Sequence, residues 1–326
     1  MPILQAARRR ALLAAALGAP LLAARAGRAQ SQLPQGQPSE FRIGFQKSGP
    51  LLVARQNGDF ERAFAPLGIA VNWLEFTYGP PLLEALNVGS IDFGAVGDAP
   101  PIFAQAARAK LLYVAATPSR GASQAILVPQ DSPLRSVAEL KGRRLAFARG
   151  SSAHSLAVGA VEKAGLAWSD ISPVELPPAD AGAAFARGNI DAWSIWDPFF
   201  ALTELQRNAR VLVAGDAVEP QSSYFLANRG FTEAHPRLVA QAVTVLAGVG
   251  AWSDAHREEV ARLGAEATGL PIEAMRRAAA RAAFEVAPLS EAVIAQQQRV
   301  ADRFHRLKLI PRAVTVRDIV WQPPAA

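Results

Sequence analysis

From residue 40 onward, short runs of aromatic and β-branched residues alternate with stretches of helical period, and that alternation leaves few folds open. Residues 41–45, 71–76, 93–96 and 111–116 read as strands, with helices expected at 51–64, 80–87 and 99–109 between them. A second series has strands at 125–128, 145–147, 174–176, 192–195 and 211–213. Its helices, at 152–164 and 179–186, stop at Gly165 and near Gly188-Asn189. One more strand is expected at 224–227, and from Pro236 the chain reads as helix, broken at Gly269-Leu270-Pro271 and Pro288. Parallel neighbours need a crossover, and helices supply it, so the pattern predicts mainly parallel sheets with helices on both faces. Two such series in 326 residues predict two α/β lobes. Ligands of open α/β sheets sit at the carboxyl ends of the strands, so the loops after each strand matter most.

The first 29 residues follow a different pattern. Arg8-Arg9-Arg10 forms a basic segment, 11–24 is rich in alanine and leucine, and Gly27 and Ala29 stand at the −3 and −1 positions of a cleavage site before Gln30. This reads as a secretory signal peptide, and the paired arginines loosely resemble a twin-arginine signal. The apolar run is shorter than the roughly 18–20 residues of a membrane span, and no later segment is expected to be long and apolar enough for one. Residues 30–39 form a polar linker. The signal holds five arginines and no acid, so taking five from the formal charge of +6 leaves +1. The basic balance therefore points to neither nucleic acid nor an acidic membrane as partner. With no cysteine in the chain, disulfides, thiolate metal sites, cysteine nucleophiles and a lipidated cysteine are excluded. An exported chain without that anchor is expected free in a periplasm.

Four loops carry groups suited to an anion. Gln46 follows the first strand and offers amide donors. Gly97 and Asp98 follow the strand at 93–96; Asp98 reads as an N-cap, and the donors there are backbone N–H groups. Ser151, Ser152 and His154 sit where a helix begins, and a helix N-terminus presents unpaired N–H groups and partial positive charge. In the fourth loop, Trp193 and Trp196 have an odd spacing and so cannot share one strand face; one of them is expected to face the cleft, the alternative being two core tryptophans. Asp197-Pro198 reads as a cap followed by proline at the start of the next helix. The chain has no nucleotide P-loop, no H-E-x-x-H and no G-x-S-x-G, and its four histidines are scattered. Neutral donors of this kind suit an oxyanion that stays ionised at physiological pH.

At these loops the chain resembles a known family. The run 85–106 (ALNVGSIDFGAVGDAPPIFAQA), Gly44-Phe45-Gln46-Lys47, Gly150-Ser151-Ser152-Ala153-His154, 189–198 (NIDAWSIWDP) and Val320-Trp321-Gln322-Pro323 are similar to the aliphatic sulfonate-binding proteins of ABC importers, within the sulfonate/nitrate/taurine solute-binding group. It departs from their pattern at Phe45, where tyrosine is frequent, and at Ser48-Gly49-Pro50. The resemblance implies an α/β, type II periplasmic-binding fold: two α/β lobes joined by two crossovers, with a ligand cleft between them that closes by a hinge. Lobe one is expected at 40–122 plus 226–326 and lobe two at 123–225. Carried over residue by residue, the site falls on Gln46, Gly97 and Asp98 of lobe one and Ser151, Ser152, His154 and Trp193 of lobe two, with Ser123 and Tyr224 near the crossovers. The implied protein is a periplasmic monomer that captures an aliphatic sulfonate for sulfur acquisition and delivers it to an ABC permease and its ATPase. It needs no cofactor or metal and performs no chemistry. Taurine or nitrate binding, a periplasmic enzyme and an anion sensor are the alternatives.

Overall fold

A computed structural model describes residues 36–117, 122–206 and 209–324, so the expected signal peptide at 1–29 and the linker's residues 30–35 lie outside the described residues. Ten strands follow one another in the described chain: β1 (Glu40–Phe45), β2 (Ala70–Glu75), β3 (Phe93–Val96), β4 (Leu111–Thr117), β5 (Gln124–Pro129), β6 (Arg144–Phe147), β7 (Ser172–Glu175), β8 (Ala192–Trp196), β9 (Ala209–Ala214) and β10 (Ser223–Asn228). They form two five-stranded sheets, β2-β1-β3-β10-β4 and β7-β6-β8-β5-β9. In the first, β1 runs parallel to β2 and β3, while β10 is antiparallel to β3 and β4. The second repeats the plan, with β6 parallel to β7 and β8 and β5 antiparallel to β8 and β9. The reversed strand in each sheet is the one by which the chain arrives from the other sheet. The two crossovers thus run between Thr117 and Gln124 and between Ala214 and Ser223, and residue 226 lies inside β10 rather than at its start.

The helices are α1 (Pro50–Asn57), α2 (Asp59–Phe64), α3 (Gly79–Asn87), α4 (Ala99–Ala106), α5 (Ser152–Lys163), α6 (Pro178–Ala186), α7 (Phe199–Gln206), α8 (Arg229–Ala234), α9 (Pro236–Ala255), α10 (Arg257–Thr268), α11 (Ile272–Arg281) and α12 (Glu291–Arg306). The single helix expected at 51–64 is two, because Gly58 takes a left-handed conformation with φ 71°. That turn aims α2 back at the sheet, where Phe60 and Phe64, one helical turn apart, pack beside Phe41 of β1. All three rings are fully buried, which stabilises lobe one by about 1.5–3 kcal/mol per side chain.

The carboxy-terminal helices are tied to lobe one. Ala116 of β4 and Ala287 exchange backbone hydrogen bonds of 2.8 and 3.0 Å, and Trp321 N–H donates to Tyr113 O at 2.9 Å. One expectation is corrected here. Helix α9 has 20 residues and is long and apolar enough, by length and composition, for a membrane span. Its apolar character comes from alanine, valine and leucine, with only Arg237 and Asp254 charged. Val239, Ala242, Leu246, Val249 and Gly250 form its buried face, set into the lobe-one core.

Gly250 marks a close approach. A β-carbon there would stand 2.2 Å from the carbonyl oxygen of Phe284, whereas one at Gly248, two residues earlier, would meet nothing within 4 Å. Gly250→Ala should therefore destabilise the protein by about 1–3 kcal/mol through overpacking. Gly248→Ala should stabilise it by about 0.5–1 kcal/mol by restricting the unfolded chain. Urea unfolding of the two variants checks both signs, and equal shifts would contradict the packing.

Candidate functional site

The carboxyl ends of β1, β3, β6 and β8 open on one cavity of ≈ 190 Å³ between the lobes. Four helices begin at its wall. Gly49 and Pro50 start α1, Gly79 starts α3, Gly97 and Pro100 flank the start of α4, and Ser151 and Ser152 start α5. Parallel strands followed by helices produce this convergence, since every such helix starts at the same edge of its sheet. Each end adds partial positive charge, about half an elementary charge for a full helix. Among the described residues, Asp197 is the one ionisable side chain on the wall.

The start of α5 is the best equipped of these ends. Ser151 is its N-cap residue, but its hydroxyl donates to Ala148 O at 2.6 Å rather than capping the helix. His154 N–H and Ser155 N–H both donate to Ser151 O. Among the described residues, the N–H groups of Ser152 and Ala153 are left without partners, as the first turn of a helix dictates. Ser152 Oγ, half-buried on the cavity wall, makes no hydrogen bond among the described residues. Across the cavity, Gln46 uses one amide N–H on Ala95 O at 3.0 Å and keeps the other. Gly97 brings lobe one against the same point: a β-carbon there would lie 2.6 Å from Ser152 Cβ. Ser123 also reaches the wall, and its carbonyl accepts from Asp197 N–H at 2.9 Å.

The other expected site residues do not reach the cavity wall. Asp98 is buried as the cap of α4, accepting from Ala99 N–H at 2.9 Å and from Ser155 Oγ–H at 2.6 Å, so its side chain joins the lobes beneath the cavity. Burial pushes its pKa up to about 7, against the lowering effect of the Ser155 hydrogen bond. His154 is stacked on Phe147 at 4.5 Å and enclosed by Phe103, Trp168 and Phe304. Its Nδ1 accepts from Gly150 N–H at 3.2 Å, and burial holds its pKa down at about 3, so the neutral ring braces the loop instead of facing a ligand. Trp193 packs on Phe185 in the core of lobe two and is 2% exposed. Tyr224 lies fully buried against Tyr113 in the first sheet.

The structure puts residues on the wall that were not among the expected site residues. Trp196, not Trp193, lines the cavity, with Thr117, Gln124 and Ser223 from the crossover ends. The signal for Trp196 was present: it is the last residue of its strand, beside Asp197-Pro198. Asp197 accepts from Ala201 N–H at 3.0 Å, and its Oδ2 is buried without a partner among the described residues. Burial pushes Asp197 up to about 7, partly offset by Arg281, whose Nη1 lies 3.4 Å away.

Fold and site define a two-lobed α/β solute-binding protein of the type II periplasmic-binding class. The NMT1/THI5 like family model matches residues 46–258. A protein of Escherichia coli (strain K12) named for aliphatic sulfonate binding is 40% identical over 291 residues, covering 89% of this chain and 91% of the relative. The alkanesulfonate-binding protein SsuA of Xanthomonas axonopodis pv. citri, solved bound to MOPS, is 42% identical with a TM-score of 0.83, over 87% of this chain and 99% of its own. The chain belongs to the NMT1/THI5-like family, in the branch of the aliphatic sulfonate-binding proteins. Those two relatives are binding proteins; the fold itself also occurs in the desulfurization enzyme DszB, at 19% identity and TM-score 0.64 over 87% of this chain and 96% of that one.

The raised pKa of Asp98 has a stability consequence. An unfolded aspartate titrates near 3.9, so between about pH 4 and 7 the folded protein holds a proton that the unfolded chain has lost. Stability from this group is therefore full below about pH 4 and falls as pH rises to about 7. Asp98→Asn keeps one accepting contact, turns the other into an amide N–H donor toward Ser155 Oγ, and cannot titrate. The fall in urea midpoint from pH 5 to 7.5 should be shallower in the variant than in the wild type. Asp197 and the opposite-signed His154 act equally in both proteins, so parallel curves would refute the assignment.

Proposed function

We propose that this protein is a periplasmic solute-binding protein that captures an aliphatic sulfonate and delivers it to an ABC permease and its ATPase for sulfur acquisition. It acts as a monomer, without cofactor, metal or nucleic acid, and leaves its ligand chemically unchanged. The observation that carries this reading is the start of α5: two unpaired N–H groups and the free Ser152 hydroxyl, facing Gln46 and Gly97 of lobe one across a cavity. Three sulfonate oxygens spread one charge over a tetrahedral head, and a set of neutral donors from two lobes suits that shape. Lobe one (40–122 plus the return from Ser223) and lobe two close around the head by a hinge at the crossovers. Export follows from the signal peptide expected at 1–29 and agrees with relatives that are binding proteins.

Taurine is the second reading, favoured by one observation. The buried Asp197 Oδ2 on the cavity wall lacks a partner, and an ammonium group would supply one. A thermal-shift panel of alkanesulfonates, taurine, nitrate and sulfate separates the readings. A ligand at 100 times its dissociation constant stabilises by about 2.7 kcal/mol. The largest shift is expected from an alkanesulfonate; a largest shift from taurine would reverse the order, and no shift from any sulfonate would overturn the function. Ser152→Ala should weaken sulfonate binding by about 1.5–3 kcal/mol, roughly ten- to hundredfold, as expected for one hydrogen bond to a charged group. Calorimetry reads the loss, and unchanged affinity would remove the α5 terminus from the site.

A further inference from the structure

The cavity does not end at the polar groups. On the side of lobe one it continues between α10 and α11, where Val260, Leu263 and Gly264 of α10 and Met275 and Ala279 of α11 reach it together with Phe284. Both helices present residues three and four apart, so each turns one whole face toward the open space. These groups are buried, none more than 8% exposed among those with large apolar side chains, and they border the cavity. The small side chain of Ala279 keeps it open, since a larger one there would occupy it. The Met275 side chain covers Gly264, its Cε 2.4 Å from where a β-carbon would stand, and a thioether on three rotatable bonds refits its space readily. An apolar recess of this kind offers a hydrated oxyanion nothing, and water in it would find few partners.

We propose that this recess is the tail compartment of the site, so that the sulfonate head lies at α5 of lobe two while an extended or bulky apolar tail runs into lobe one between α10 and α11. The inference rests on the sulfonate reading and adds to it the orientation of the ligand and the selection among sulfonates. A tail that leaves water here gains affinity with every methylene, about fourfold each, until the recess is full. Met275 sets the depth and Ala279 the width.

Calorimetry with methanesulfonate, butanesulfonate and octanesulfonate tests this on the wild-type protein, Ala279→Leu and Met275→Ala. In the wild type, affinity should climb along the series. Ala279→Leu should leave methanesulfonate within twofold and weaken octanesulfonate at least tenfold, while Met275→Ala, which adds room, should spare octanesulfonate. Unfolding temperatures of the ligand-free variants identify a folding defect, and Met275→Ala then carries the test alone. Equal affinities along the series, or equal losses for short and long tails in Ala279→Leu, would overturn the tail compartment and leave the sulfonate reading intact. Binding of no sulfonate at all would overturn the reading and the compartment with it.

Discussion

Four helix N-termini meeting at one cavity are the arrangement on which the rest of this structure depends. A single helix end gives a modest attraction, about 0.3–1 kcal/mol at an exposed site, and it fades within a turn. Several ends around a small volume sheltered from water act together, and their N–H groups need not be bought from ordered side chains. Only parallel strands followed by helices place successive helix starts on one edge, which is why β1, β2, β3 and β6 lead into α1, α3, α4 and α5 as they do. The reversed strands β5 and β10 are the counterpart of that rule. Each is where the chain enters a sheet from the other lobe, and entering reversed keeps both crossovers beside the cavity.

Helix α5 links this site to the contact between the lobes. Its first turn faces the cavity, and the next turn takes Ser155 to the buried carboxyl of Asp98. Further along, Glu162 pairs with Arg303 and Arg306 of α12, and Arg303 also holds Glu219 of the second crossover. On another side, Arg281 of α11 pairs with Glu204 of α7 and approaches Asp197, with its guanidinium 3.8 Å from the centre of the Phe200 ring. Ion pairs that are only partly buried contribute little net stability, because desolvation offsets most of the attraction. Their effect is directional: they fix which faces of the lobes meet. Gly97 makes that meeting close enough for lobe-one backbone to touch Ser152.

How much of this was legible in the sequence follows from how local each signal is. Strands and their following loops were read well, because period and glycine placement are local; Gln46, Gly97, Ser123, Ser151 and Ser152 all border the cavity. The break at Gly58 was missed because the apolar pattern of 51–64 carries through it, and only its positive φ divides the helix. Trp193 and Trp196 could be told apart as facing opposite ways, but not as to which faces the core. That choice depends on Phe185 of α6, which packs on Trp193. His154 misled for a related reason. A histidine in the first turn of a helix looks like a donor, and half of its aromatic enclosure, Phe103 and Phe304, comes from about 50 and 150 residues away in the chain. The recess between α10 and α11 had no sequence signal of its own, since small and apolar residues on a helix face read as ordinary core.

The two ends of the site bear on how binding can drive closure. A ligand shifts a conformational balance only by the difference in its affinity for the two states. A bare anion such as nitrate has one kind of contact to make, and most of the free donors near it belong to α5 in lobe two. In the proposed arrangement a sulfonate with a tail has two: its head is held chiefly by α5 of lobe two, with Gln46 and Gly97 of lobe one opposite, and its tail by α10 and α11 of lobe one. With both ends engaged, separating the lobes must expose one end of the ligand to water. The apolar tail then contributes to closure as well as to affinity, because its burial is complete only when the head is also seated. The gain is largest for ligands long enough to reach from Ser152 to Met275, so discrimination among anions and the stability of the closed arrangement come from the same contacts.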